Sequence, residues 1–432
     1  MLIEFSKSLL QLNIILSNFG VFILYNLILL ALFCGVYIEI GDLYLSELFY
    51  YYISFFISFF VFYFLLFKNK SLISKKLSNK KKIIISHNLK KRTSYFLILT
   101  VLIGTVIHYL DIGYIPIIKA IFSNDYYEIA EIRKQANLLT TTPIRYLSSF
   151  LIKSIIPFLL IYLMVIKNYK LYSLIYLIAI LYAFSLMQKS FILTILLPSI
   201  FYAIYLKRIK FLVKHLIVIC LFIFGLLNIT NPQVSEMKKN DNVSIKKFEK
   251  TNSNFSETTN PIIIFLKLIK KRVILTPGKI VAKWFVNIPN NEPFLNGCGY
   301  RILAPILGCD YRNYGQELYD DIFPKYAAIG IKGNVNTTSF MYDYANFGIL
   351  GLIISGLLMG ALISIIDFIF SFNIMVKFAV NSFYILMLSS SALTTLMFSG
   401  GWGLMILLFF IYKKDLLITN NKNENLPSNI SS

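Results

Sequence analysis

The chain has 432 residues, of which 57% are hydrophobic and only 15% charged, and its mean hydropathy is +0.68. A soluble domain carries about a quarter charged residues, so a freely soluble globule is excluded. The 42 Lys and Arg against 21 Asp and Glu leave a net charge of +21, but the basic runs sit between apolar stretches and accompany no recognition module for DNA or RNA. The excess therefore argues for membrane topology and against a nucleic-acid partner.

A hydrocarbon core needs about 20 apolar residues per helix. On that rule the chain reads as an all-α, polytopic transmembrane helix bundle of about ten helices, at 18–38, 43–67, 94–114, 145–166, 171–187, 190–206, 213–230, 345–370, 378–398 and 401–412, the last one short. No small-residue cleavage site follows the first stretch, which is expected to be a retained helix. Segment 68–93 contains Lys68, Lys70, Lys75, Lys76, Lys80, Lys81, Lys82, Lys90, Lys91 and Arg92 without one acid, which marks it as cytoplasmic. Threading from there puts Lys167 and Lys170, then Lys207 to Lys214, Lys377, Lys413, Lys414 and both termini on the same side. Lys189, in a tight outer turn, dissents. The expected organisation is seven helices in 1–229, a large outer loop at 230–339, three helices in 340–412 and a cytoplasmic tail at 413–432, polar and disordered from Thr419, with a smaller outer loop at 111–143.

Within the smaller outer loop, 125–138 reads as a short helix that brings Glu128 and Glu131 near Arg133. In the large loop, 231–260 is rich in Asn, Ser, Thr and Lys and reads as mobile. Pro261 to Lys283 alternates apolar and basic residues at helical spacing, which predicts an amphipathic helix lying on the outer surface. Trp284 to Gly333 is dotted with Pro and Gly and is expected to be irregular. Cys298 and Cys309 share this loop, as a disulfide or as two thiols, whereas Cys34 and Cys220 fall inside spans.

Large outer loops on a membrane protein are where function concentrates. Arg272, Arg301 and Arg312 in the large loop and Arg133 and Arg145 in the smaller one carry planar, permanent charges that grip phosphate in a bidentate fork, or that sit on anionic headgroups. The glycines of Asn296-Gly297-Cys298-Gly299 beside Arg301 could let backbone amides approach a phosphate too. Candidate proton acceptors are Glu317, Asp320, Asp321, Asp343, Asp111 and His108. Trp284, Tyr300, Tyr311 and Tyr314 could stack on sugars or anchor the loop at headgroups. Inside the spans the conspicuous charges are Lys153, which either snorkels or binds a lipid phosphate from within the bundle, and Asp367, which lies near a helix end within reach of the interface. No GxSxG, HExxH or P-loop pattern occurs, and adjacent Asp320 and Asp321 point apart, so no metal or cofactor is expected.

Asn336-Thr337-Thr338-Ser339-Phe340, continuing through Asp343 to Asn346-Phe347-Gly348-Ile349-Leu350-Gly351, leads straight into a span. Together with Arg272 to Pro277, Trp284, Pro289 and Phe294 to Gly297, it resembles the bacterial O-antigen and capsule polymerases, the Wzy-type oligosaccharide repeat unit polymerases. That resemblance implies transfer of a growing glycan from its polyprenyl diphosphate to a new lipid-linked repeat unit, at the periplasmic face of the inner membrane. It also implies a flippase and a chain-length regulator as pathway partners. The diphosphate-holding role then falls best on Arg272, next on Arg301, with Arg133, Arg145 and Arg312 as further substrate contacts beside Trp284 and Tyr300, and Asp343 or His108 as base. Glycines Gly348, Gly351, Gly356 and Gly360 are explained by close helix packing. A lipid-linked oligosaccharide flippase and an O-antigen ligase are the alternative functions.

Overall fold

The computed structural model describes residues 2–68, 87–123, 126–205, 209–230, 270–327, 333–371 and 373–424. Among them all regular structure is helical. In chain order come α1 (Leu2–Ile40), α2 (Leu45–Lys68), α3 (His87–Ile112), α4 (Pro116–Ile121), α5 (Tyr126–Leu139) and α6 (Thr142–Phe150). A π turn, Leu151–Ile155, leads into α7 (Ile156–Val165), followed by α8 (Tyr169–Ser185), α9 (Lys189–Tyr205) and α10 (Ile209–Thr230). A second π turn, Lys271–Leu275, leads into α11 (Thr276–Asn287). Then come α12 (Leu303–Leu307), α13 (Tyr314–Glu317), α14 (Tyr319–Ile322), α15 (Pro324–Ala327), α16 (Ser339–Ile369), α17 (Ile374–Met387), α18 (Leu393–Met397) and α19 (Trp402–Glu424).

Six helical stretches are long and apolar enough to cross a membrane: Ile14–Ile40, Leu45–Lys68, Ser94–Ile112, Thr142–Val165, Ile209–Leu226 and Ser339–Ile369. Four shorter apolar helices, Tyr169–Ser185, Ser190–Ile204, Ile374–Met387 and Trp402–Lys413, accompany them. Large apolar side chains such as Leu27, Leu30, Phe96 and Leu110 are exposed on the long helices. That is a surface matched to lipid, since a contiguous apolar exterior of this kind is unstable in water.

The chain folds as two compact units. The first comprises Met1–Lys82, Thr258–Lys377 and Tyr384–Leu396. Its core is α1, α2 and α16, with Phe22 stacked on Phe59 at 4.0 Å. Helix α16 lies so close to α2 that a Cβ on Gly356 would sit 2.6 Å from the Tyr51 carbonyl oxygen, and one on Gly360 would sit 2.7 Å from the Phe59 amide. Small residues permit that approach, and in a bilayer close packing replaces the hydrophobic effect as the source of association.

Gly348 breaks α16. Its backbone is left-handed at φ 60°, and a Cβ on Gly351 would strike the Asp343 carbonyl. In a straight helix those two residues would stand about 12 Å apart along the axis, at 1.5 Å per residue. The part before Gly348 therefore folds back beside the part after it, and the straight helix within the expected span 345–370 begins just past this glycine. The preceding segment is buried at Phe340, Met341, Tyr344 and Ala345, and Phe340 meets Tyr51 at 4.4 Å.

Three other expectations change. Residues 261–269 lie outside the described residues, as does 231–260. The helix that follows does not lie on a surface: Val281, Ala282, Trp284 and Phe285 are buried, and Gly278 and Gly35 bring α11 and α1 together. The ninth span is interrupted, because α17 ends at Met387 and three serines intervene before α18. Ser389 turns its hydroxyl onto the Leu386 carbonyl at 2.7 Å, competing with the helical ladder. Finally α19 continues to Glu424 through residues expected to be disordered.

The second unit comprises Ile83–Glu257, Phe378–Phe383 and Met397–Ser432. At its centre lies α7, all ten residues of which are buried. Pro157 has no amide to offer the Lys153 carbonyl, and the chain accommodates this by widening one turn, so that the Ile156 amide bonds the Leu151 carbonyl five residues back. The second π turn has the same construction: the Thr276 amide, just before Pro277, bonds the Lys271 carbonyl. Ser154 donates to the Gly401 carbonyl at 2.7 Å, and Trp402 Nε1 donates to Asn381 at 3.0 Å, which tie the start of α19 into this unit.

Candidate functional site

In the second unit a cavity of about 220 Å³ is walled by the end of α3, by α5, by α6 with its π turn, and by the turn between α8 and α9. Arg145, Ser148, Ser149, Ile152 and Lys153 line it at helical spacing from one face. The start of that face is fixed by the Asp111 carboxylate, which accepts from the Thr141 amide at 2.7 Å. An anion in that position also suits the positive end of a helix. Arg145 donates from Nη2 to the Thr140 carbonyl at 2.8 Å, so its guanidinium is held. Arg133 comes from α5 and His108 from α3.

The lining thus holds three cations, Arg133, Arg145 and Lys153, together with the hydroxyls of Thr140, Ser148 and Ser149. Among the described residues no carboxylate lines it. Concentrated positive charge beside low-dielectric walls complements an anion with several oxygens. The volume is below the roughly 300–1,000 Å³ of sites for drug-sized ligands, which suits a phosphate or diphosphate group rather than an oligosaccharide.

His108 is 5% exposed, and its Nδ1 lies 2.7 Å from the Tyr182 hydroxyl. Tyr182 donates its single proton to Ser148 at 2.9 Å. It can then only accept from His108, which puts the imidazole proton on Nδ1 and leaves Nε2 as the basic nitrogen. Sequence reasoning named His108, Arg133 and Arg145, and weighed Lys153, but missed Tyr182, Ser148 and Gln188. The signal for Ser148 was its place, one turn after Arg145 and one before Ile152, on the polar face of an apolar run.

The other expected site residues belong to the first unit. Tyr300 donates to Asp343, and burial together with the Asp343 charge holds the phenol above its usual range. Gly297 and Gly299 do not present their amides to a ligand: both donate to Asn346 Oδ1, at 3.2 and 3.0 Å. Cys298 and Cys309 form a disulfide. Arg301 lies over Tyr311 with its guanidinium carbon 5.0 Å from the ring centre. Arg312 is engaged by two carboxylates, Glu317 at 2.5 Å and Glu292 at 3.1 Å, and the hydrogen bond to Glu317 raises its pKa further. An arginine so neutralised is a poor phosphate ligand. Trp284 is 1% exposed and meets Tyr342 edge-on at 5.5 Å, so its ring belongs to the core and has no face for a sugar.

Arg272 sits in the second π turn, and its side chain lies outside the described residues. Asp320 and Asp321 are exposed on the single turn of α14. Among the described residues no three His, Cys, Asp or Glu side chains are grouped to hold a metal ion. No protein family, curated protein or solved structure matches the chain.

Proposed function

We propose that the protein is a glycan polymerase that joins polyprenyl-diphosphate-linked oligosaccharide units into a surface polysaccharide. The observation that carries this reading is the cavity bounded by Arg133, Arg145, Lys153 and His108. A polyprenyl diphosphate is a lipid whose anionic group a bilayer-embedded chain can reach, and it departs with negative charge when the sugar is transferred. Three cations offset that charge where it develops. The bond from the sugar anomeric carbon to the diphosphate oxygen breaks, the acceptor hydroxyl oxygen bonds to that carbon, and the hydroxyl proton passes to His108 Nε2. The resemblance over Asn336 to Gly351 points the same way. In this reading the six long and four shorter apolar helices make ten crossings, the loop 230–339 is periplasmic, both termini are cytoplasmic, and a flippase and a chain-length regulator work beside the protein.

A second reading, a flippase for the same lipid, is favoured by one feature: Lys153 lies within the apolar stretch Thr142–Val165 and faces the cavity. Intramembrane charge of this kind also marks transport paths. The two are separated by the surface polysaccharide of a host lacking the protein, complemented at matched membrane levels with wild type, Arg145→Ala or Lys153→Ala. The polymerase reading expects long chains to vanish while single repeat units still reach the surface, with turnover in the variants lowered by about 100-fold or more, as when one charge-stabilising donor is removed. Loss of the single units as well would point to export or ligation instead. Long chains at wild-type levels from both variants would dismiss the cavity as the site.

A further inference from the structure

The disulfide of the first unit closes a loop whose tip is the one-turn helix α12. Ile302 and Ile306 are 75% and 74% exposed there, with Leu303 and Leu307 exposed beside them. Between the two cysteines the chain carries one base, Arg301, and no acid. Four exposed aliphatic side chains on so short a loop form a surface that water solvates poorly.

Where this loop sits follows from α16. From Ile349 to Ile369 the helix is about 31 Å long at 1.5 Å per residue, which matches a hydrocarbon layer of about 30 Å. The break at Gly348 therefore marks one edge of that layer. The loop is tied to this level by backbone: Leu295 donates to the Ala345 carbonyl and Asn296 to the Asn346 carbonyl, each at 2.9 Å. The side chain of Asn346 collects the next two glycine amides, and Tyr300 stacks on Phe347 at 6.2 Å. The apolar tip is also continuous with the exposed face of the span. A Cβ on Gly297 would meet Leu307 at 2.5 Å and Phe347 at 3.7 Å, and Phe347, Ile349 and Leu350 are exposed in turn.

We infer that the loop from Cys298 to Cys309 is an interfacial membrane anchor, with Ile302, Leu303, Ile306 and Leu307 inserted among lipid acyl chains just below the headgroups. Arg301, resting over Tyr311, is then at the level of the lipid phosphates, where cation and aromatic ring are both at home. The occupant is the bilayer because the patch extends a lipid-facing helix surface, and its one charge, Arg301, suits the anionic phosphates of a headgroup layer. The inference does not depend on what the cavity of the second unit binds.

The test places tryptophan at the tip. Ile302→Trp and Ile306→Trp are made separately in the full chain, kept oxidised, and reconstituted in phosphatidylcholine and phosphatidylglycerol nanodiscs with or without 5-doxyl phosphatidylcholine. Trp284 and Trp402 are buried, and the unsubstituted protein supplies their background. A blue-shifted added emission, quenched at least twofold by the doxyl lipid and little by aqueous acrylamide, is the expected result. Quenching by acrylamide without doxyl quenching would put the tip in water and overturn the inference. Shielding from both quenchers would show it packed on protein, such as a second copy, and would overturn it equally. Two positions are used so that one misfolded variant does not decide the matter.

Discussion

Lys377 Nζ lies 2.5 Å from Asp367 Oδ1, and neither side chain has any exposed surface. The pair also reaches both partners of one link in α1. Asp367 accepts from the amides of Val21 at 3.1 Å and Phe22 at 3.0 Å, and Lys377 donates to the Ser17 carbonyl at 2.5 Å. Ser17 and Val21 are four residues apart, so the ion pair grips α1 through groups of its own ladder. Taking both charges out of water costs several kcal/mol, and removing one leaves the other stranded. Asp367→Leu or Lys377→Met alone is expected to destabilise the protein by about 3–5 kcal/mol. The double variant should cost less than either single one. Unfolding in detergent measures this, and additive losses would show that the two residues act separately.

Helix α16 makes a second demand on sequence. The nearest neighbours of Gly360 are backbone atoms of α2, the Phe55 carbonyl oxygen and the Phe59 amide, which cannot swing aside, and Gly356 meets the Tyr51 carbonyl beside the Ser54 hydroxyl. Gly360→Val is expected to cost about 1–3 kcal/mol or more through forced separation of the two helices, read as a lower melting temperature and lower membrane level. Gly104→Ala is the control, since the nearest atoms to its new methyl belong to the flexible Leu151 side chain, Cδ1 at 2.8 Å first. Equal losses at both positions would reject backbone contact as the cause.

The long apolar helices were legible because hydropathy over about 20 residues is a local property: α2 at Leu45–Lys68 falls where 43–67 was expected. The reversal at Gly348 was not, because apolar composition continues across it and one backbone angle decides the direction. Asp367 was read as a charge near a helix end and Lys377 as one of the cytoplasmic basic residues, since nothing local announces that the turn between α16 and α17 brings them together. Residue chemistry was likewise visible where partners were not. Arg133, Arg145 and His108 were named and share one cavity, whereas Arg312 was named for the same reason and is held by Glu292 and Glu317. Trp284 was read, as an aromatic in an irregular loop, as a sugar-stacking or headgroup-anchoring residue, but α11 runs through it to Asn287 and its ring is buried.

The disulfide predicts a thiol count. In denatured protein prepared without reductant, a maleimide-polyethylene glycol reagent should modify two cysteines, Cys34 and Cys220, and after reduction all four. Cys298→Ser with Cys309→Ser should lower stability by about 2–4 kcal/mol, the usual loss when a native crosslink is removed. Four reactive thiols before reduction would mean that the pair is open in the cell.

The π turn before Pro157 yields the sharpest test of Lys153. Because proline supplies no amide, the chain takes one extra residue into the turn, and Lys153 reaches the cavity from that widened turn. Pro157→Ala restores the donor, so the turn can tighten into a regular α-helix. Every residue on its N-terminal side, Lys153 included, then rotates by about 100° relative to α7. The expected outcome is a loss of long-chain product at least as large as that of Lys153→Met, because Arg145 turns with Lys153, together with a lower melting temperature as buried Leu151, Ile152 and Ser154 leave their packing. Lys153→Arg, which keeps the charge on the same face, should retain much of the activity. If Pro157→Ala polymerises normally, neither the widened turn nor the direction in which Arg145 and Lys153 face matters to the reaction.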